Sequence, residues 1–346
     1  MSTLRATKVG QRTRATLAGL AGTALLLSSA CSVRDDAGLS LTATPTSTAA
    51  SVTPEALTAE AAEILEAHGL YAGGDWSAQK AELLEAGRTA ADLDEARDAI
   101  AIAASSAGGV HTWYMSPSER EQAYASAPGS PPEVEATQGK TVTISLPPIG
   151  QEGDAAITYA EVGSSGLANL AGAATCGFII DLRGNSGGNM YPMLGAVSPL
   201  FDTAEVANFV DRNGVTSAIS VTKTQVSEGN NPPLTYAAPE PARGSARADT
   251  PIAILQDGET GSAAEMVITA FRGQENVRTF GMPTAGRATG NDAWVLSDGS
   301  ELVLTIVNYA DRSGAVMPLP IPADVPAISL DAEQSAHEWI GTACRT

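Results

Sequence analysis

Twice in this chain a short apolar run ends in a glycine-punctuated turn that opens directly into a helical pattern. No other feature limits the possible folds as much. Gly177-Phe178-Ile179-Ile180 leads through Asp181-Leu182-Arg183-Gly184-Asn185-Ser186-Gly187-Gly188 into a helix expected over Met190 to Phe201. Thr250 to Leu255 leads through Gln256-Asp257-Gly258-Glu259-Thr260-Gly261-Ser262 into a helical run, Ala263 to Phe271. Apolar runs of this length between turn residues read as buried strands. Strand, turn and helix in that order form the crossover unit of a mostly parallel sheet, where chemistry gathers at the carboxyl ends of the strands. Ser262 stands at such an end. The first N–H groups of the helix after it lack internal partners and can hydrogen-bond a developing oxyanion, so Ser262 is a candidate nucleophile. It also reads as a plain N-cap, with Glu265 completing a capping box.

The rest of the chain reads as α/β with an antiparallel portion. Helical patterns cover Ala56 to Ala67, Ser77 to Ala86 and Ala90 to Ala104, and the glycine turn Ser105 to Gly109 leads to His111 and a short strand-like run. A polar segment, Ser116 to Gly139, precedes the strand Thr141 to Leu146 and a helix within Ala155 to Ala174. Further strands are expected at Val206 to Val210, Ser217 to Thr222 and from Asn276, with a hairpin of Ala293 to Leu296 and Glu301 to Asn308. The glycines at 184, 187 and 188 do not fit GxGxxG, and no GKS or GKT occurs, which argues against nucleotide binding. His68 at a helix end and His337 in a polar amphipathic tail read as structural.

The amino terminus carries Arg5, Lys8, Arg12 and Arg14 before the apolar run Ala15 to Leu27 and the small residues Ser28-Ser29-Ala30 before Cys31. Such a basic region, short apolar region and small-residue cut site make an export signal. The residues before Cys31 resemble a bacterial lipoprotein box, with lipidation of Cys31 expected. Residues 1–31 are therefore read as a signal peptide of lipoprotein type and 32–53 as a flexible linker poor in apolar residues. Residues 54–135 form a small helical subdomain carrying His111, and 136–346 the α/β core. With Cys31 lipidated, Cys176 and Cys344 remain as a possible disulfide in an oxidising compartment. A formal charge of -19 excludes nucleic acid as a natural partner, since phosphate binding needs clustered cations.

DLRGNSGG after the first strand, TGSAAE around Ser262, the TFG and TAG segments from Thr279, and DGSELVLT from Asp298 together resemble the carboxy-terminal processing and tricorn-core serine peptidases. The resemblance spans His111 to Val325. It implies a crotonase-like mixed sheet core and Ser262 as nucleophile, with oxyanion donors from Ala263 and from Gly187 or Gly188. Members of the processing branch use a lysine after the serine, but no lysine follows Lys223. The tricorn-like branch uses a histidine from the amino-terminal side, and Val110-His111-Thr112 resembles that block, so His111 is the expected general base. The group orienting His111 is expected among Asp292, Asp311 and Asp324, or is a backbone carbonyl. Asp181 and Arg183 are expected to pair and hold their loop. Too little chain separates His111 from Thr141 for the inserted PDZ module of many processing peptidases. No metal or organic cofactor is implied, because HExxH is absent and the three histidines lie far apart. The expected substrate is a peptide or unfolded protein, with ester hydrolysis a weaker possibility. The alternative is a catalytically inactive module on the same fold that binds a ligand or protein. Oligomeric state is not legible.

Overall fold

The computed structural model describes residues 52–73, 76–124, 129–137, 140–172, 176–237 and 249–344. The stretch read as a signal, Cys31 with its expected lipidation, and nearly all of the expected linker lie outside these residues. Helix α1 (Pro54–His68) starts where the Thr53 hydroxyl accepts the Ala56 N–H, with Pro54 at the first helical position. Helices α2 (Ser77–Thr89) and α3 (Leu93–Gly108) are separated at Asp92, whose carboxylate accepts the N–H groups of Asp94 and Glu95. Next come β1 (Trp113–Met115), α4 (Pro117–Tyr124), β2 (Glu133–Thr137), β3 (Thr141–Ser145), α5 (Gly153–Leu170), β4 (Gly177–Asp181) and α6 (Met190–Ala196). Then follow β5 (Glu205–Asp211), β6 (Thr216–Val221), β7 (Gln225–Glu228), β8 (Leu234–Thr235), β9 (Ile252–Gln256) and α7 (Ala263–Phe271). The chain closes with β10 (Val277–Gly281), β11 (Thr289–Val295), β12 (Glu301–Asp311), β13 (Val325–Pro326) and α8 (Ser329–Ala343).

Two sheets result. The first has the order β13-β10-β9-β4-β3-β2 and is parallel except for the edge pair β2–β3. Its middle strands β4 and β9 are adjacent, with Ile180 opposite Ile254 and Asp181 opposite Leu255. Both glycine-rich turns therefore leave the same edge of the sheet side by side. The second sheet is antiparallel, β1-β12-β5-β6-β7-β8, with β11 on the other edge of β12. The eleven-residue β12 is its hub, pairing with β1 and β5 along one edge and β11 along the other.

Every residue of α7 is buried, the polar Glu265 and Thr269 included, and it contributes to the main core together with residues of β4, β5, β9 and β12. Helices α1 to α3 share a second core with Leu296, Leu302 and Leu304, so they close over the antiparallel sheet instead of standing as a separate unit. Helix α8 covers the remaining face of the parallel sheet through Ala332, Ala336 and Ile340. Cys176 and Cys344 are disulfide-bonded, with Cα atoms 4.8 Å apart.

The helix expected to reach Phe201 ends at Ala196 and passes into a 3-10 turn, Ser198–Leu200. Pro199 accounts for this: it has no N–H to donate, and its ring would collide with the Gly195 carbonyl in a continued helix. Between His111 and Thr141 the described residues hold only β1, α4 and β2 after the short turn carrying His111. No helix among the described residues is long and apolar enough to cross a membrane.

Candidate active site

The backbone at Ser262 is unusual. Its φ of 52° and ψ of -118° lie in a region that L-residues avoid, and Lys140 is the other non-glycine residue with positive φ among the described residues. Four interactions hold the turn in that shape. The Ser262 N–H donates to Glu265 Oε2 at 2.7 Å, and the Gly261 N–H to the Asn185 carbonyl at 2.9 Å. The Thr260 hydroxyl donates to the Leu182 carbonyl at 3.0 Å, and the Ala285 N–H to the Thr260 carbonyl at 2.8 Å. Such strain, of order 1–3 kcal/mol, persists only where the surroundings enforce it, and it concentrates at functional sites.

Gly187 lies directly against the serine. A Cβ on it would come within 2.7 Å of Ser262 Cβ, 2.8 Å of the Gly261 carbonyl oxygen and 3.1 Å of the Ala263 nitrogen, and its φ of 108° disfavours any side chain. Gly187→Ala is expected to lower activity at least a hundredfold and stability by about 1–3 kcal/mol, read from single-turnover assays and thermal unfolding. Unchanged activity would show that this contact has no role. The Gly187 N–H is already used, donating to Asn185 Oδ1 at 2.9 Å. The N–H groups of Gly188 and Ala263 make no hydrogen bond among the described residues, which narrows the expected donors to those two. Asn185 is buried and also donates from Nδ2 to the Leu146 carbonyl at 2.7 Å, so it fixes the glycine turn from inside. Asp181 and Arg183 pair at 2.6 Å and Arg183 also reaches Glu333 at 3.1 Å, bracing the start of the same turn.

His111 sits in the 3-10 turn between α3 and β1 and is buried, with 8 % of its surface exposed. Its Nδ1 shares a 2.8 Å hydrogen bond with Thr289 Oγ1 at the start of β11. Asn291 Nδ2 donates to the His111 carbonyl at 2.9 Å, and the Thr305 hydroxyl donates to Asn291 Oδ1 at 2.8 Å. The Thr305 N–H in turn donates to the Thr112 hydroxyl oxygen at 2.9 Å. Strands β1, β11 and β12 thus meet in one polar network around the imidazole. No hydrogen bond joins His111 to Ser262 among the described residues, and the buried Tyr309 hydroxyl lies beside the Ser262 side chain. Burial, with a smaller contribution from the positive charge of Arg287, lowers the His111 pKa from 6.5 to about 4.

The three aspartates considered for orienting the base are held elsewhere. Asp292 is exposed and accepts the Ala293 N–H. Asp311 closes its own turn through Ser313 and Ala315. Asp324 binds Arg272 and Thr279. Thr289 occupies the position behind His111 where one of these aspartates or a backbone carbonyl was expected. Sequence reasoning also took Glu265 for a capping residue alone. Its buried carboxylate accepts from Ser262 N–H, from the Thr284 hydroxyl, and from the N–H groups of Gly286 at 3.1 Å and Arg287 at 2.9 Å. One carboxylate ties the serine turn to the 284–287 loop that leads to Thr289.

Residues 144–325 match the sequence profile of peptidase family S41. The chain belongs to peptidase family S41. It is 29% identical over 204 residues to a nisin-resistance protein of Lactococcus lactis subsp. lactis, covering 59% of this chain and 61% of that protein. It is 26% identical over 156 residues to the chloroplastic carboxyl-terminal-processing peptidase 2 of Arabidopsis thaliana, covering 43% of this chain and 27% of that one. The match to each relative therefore spans less than two thirds of that relative's length. Among solved structures, a lipoprotein from Streptococcus agalactiae superposes with a TM-score of 0.70 at 26% identity, over 88% of this chain and 100% of that one. A photosystem II D1 C-terminal processing protease shares the fold, with a TM-score of 0.55 at 13% identity, over 84% and 97% of the two chains. Gly187, Gly188, Ser262, Ala263, Glu265 and Thr289 lie inside the matched segment and His111 lies before it, and among the described residues no cluster could hold a metal ion.

Proposed function

We propose that this S41 chain is a serine peptidase in which Ser262 attacks the peptide carbonyl and His111 accepts its proton. Gly188 and Ala263 donate to the tetrahedral oxyanion, and the acyl-enzyme is then hydrolysed by water that His111 deprotonates. The observation that carries this reading is the strained Ser262 backbone, set at the start of a buried helix and flush against Gly187. Thr289 holds Nδ1, which leaves Nε2 as the nitrogen to face the serine. Movement of the Ser262 side chain away from Tyr309 completes the pair. The core is read as crotonase-like, and exposed Val110 and Trp113 flank the base as an apolar rim for substrate side chains.

The substrates in this reading are peptides or unfolded protein segments. Nisin is a sensible first assay, given the name of one relative. Residues 1–31 would direct export and leave Cys31 lipidated at the outer membrane face, with 32–53 as a tether; similarity to a lipoprotein supports this placement.

Reactivity towards a fluorophosphonate probe tests the chemistry through its pH dependence. His111 stays neutral well below its ordinary 6.5, so the labelling rate should hold down to about pH 5 and fall with a midpoint near the lowered pKa of about 4. The same shift weakens folding as pH drops from 6.5 towards 4, because the unfolded chain takes up the proton first. A labelling midpoint at 6.5 would contradict a buried base. No labelling at any pH would favour the inactive binding module, with the Ser262 side chain left on the Tyr309 hydroxyl.

A further inference from the structure

Arg287 is the exception among the arginines of this acidic protein. Every other arginine among the described residues has its guanidinium on a carboxylate, on helix-end carbonyls as Arg212 does, or over an aromatic ring as Arg278 does on Trp339. The Arg287 side chain is exposed and makes no hydrogen bond, ion pair or ring contact among the described residues, although acids outnumber bases 39 to 20. Its place in the fold is fixed on both sides by the site. The Arg287 N–H donates to the Glu265 oxygen that also accepts the Ser262 N–H, and its carbonyl accepts the Thr289 N–H at 2.8 Å. Thr289 in turn holds His111. The backbone under Arg287 is therefore as fixed as the site itself, while the charged end is left free at the rim between nucleophile and base.

We propose that Arg287 is a specificity-determining residue that binds a carboxylate of the substrate close to the scissile bond. A planar guanidinium presents two parallel donors that match a carboxylate, and an unpaired one breaks no existing ion pair on forming that contact. Two groups of a peptide carry the required chemistry: the terminal α-carboxylate and the side chain of Asp or Glu. Either places the peptide so that its carbonyl faces Ser262. The inference rests on the peptidase reading.

The test uses the full-length protein and one cleavable peptide in four forms: free acid or amide at the carboxyl end, each with Glu or Gln beside the cleaved bond. The readout is the ratio of kcat/KM between charged and uncharged partners, which a merely structural role for Arg287 would not change. A charge-assisted pair predicts a preference of about ten- to a hundredfold for the charged form in the wild type. The pair of peptides that shows the preference identifies the source of the carboxylate. In Arg287→Gln the ratio should collapse towards one, and in Arg287→Lys it should be partly kept. A wild-type ratio near one for both pairs would overturn the proposal, as would a ratio that survives in Arg287→Gln. Fluorophosphonate labelling of the wild type reports the peptidase reading separately. A labelled enzyme that ignores substrate charge rejects only the role of Arg287, whereas an unlabelled one rejects the underlying reading and the role together.

Discussion

Ser262→Ala is expected to reduce turnover by about three orders of magnitude or more while leaving the fold intact. The hydroxyl is the reacting group in the proposed mechanism, and its structural contacts are confined to the Tyr309 hydroxyl and the cap at the start of α7. The Glu265 carboxylate takes its hydrogen bond from the backbone N–H of residue 262, which alanine retains. The variant keeps the positive φ and its strain, so Tm should shift by no more than a few degrees. Ser262→Gly makes a sharper companion. Glycine accepts a φ of 52° without strain, so this variant should be inactive yet more stable than Ser262→Ala, by about 1 kcal/mol. Peptide hydrolysis near the wild-type rate in either variant would remove Ser262 from the mechanism.

Glu265→Gln should be the most damaging isosteric change in the molecule. Each carboxylate oxygen accepts two donors, Oε1 from Thr284 and Gly286, and Oε2 from Ser262 and Arg287. A glutamine amide has only one oxygen, so its NH2 must face two groups that themselves donate. Leaving one or two of these part-buried donors unpaired costs roughly 1–4 kcal/mol, which for a chain of this size lowers Tm by roughly 2–10 °C. Activity should fall further than stability accounts for, because this carboxylate sets the serine turn and the loop leading to Thr289 relative to each other. Thermal unfolding and probe labelling of the folded fraction separate the two effects. A Tm within a degree of wild type and undiminished labelling would show that the clamp does not matter.

How much of this was legible in the residues depended on burial and on sequence distance. Strands β4 and β9 have nearly all their residues buried, so they read as unbroken apolar runs, and the glycines after them mark the turns. Helix α4 has no buried residue and β2 is an edge strand of alternating Glu and apolar positions, so both vanished into a polar segment. Ser262, Gly187 and His111 stand out in the sequence through the motifs that carry them. Thr289 was not legible because the expected partners were aspartates or a backbone carbonyl and its hydrogen bond to His111 spans 178 residues. Glu265 was seen only at its local range, as a cap three residues from Ser262. Its contacts with residues 284 to 287 depend on how two loops pack, which no local pattern encodes.

The bond between Cys176 and Cys344 turns that part of the chain into a closed covalent ring. Inside the ring lie Gly187, Gly188, Ser262, Glu265, Arg287 and Thr289, so a single backbone cut within it leaves those residues on fragments that cannot separate. His111 lies outside the ring. The segment carrying it is held to the ring by noncovalent contacts, among them the β1–β12 pairing, the packing of α1 to α3, the Thr112–Thr305 and Arg120–Glu301 contacts and those of the His111 side chain and carbonyl. The two halves of the proposed site thus have unequal tenure: a cut between His111 and Cys176 can release the proposed proton acceptor, while Ser262 and its supporting loops stay tied together.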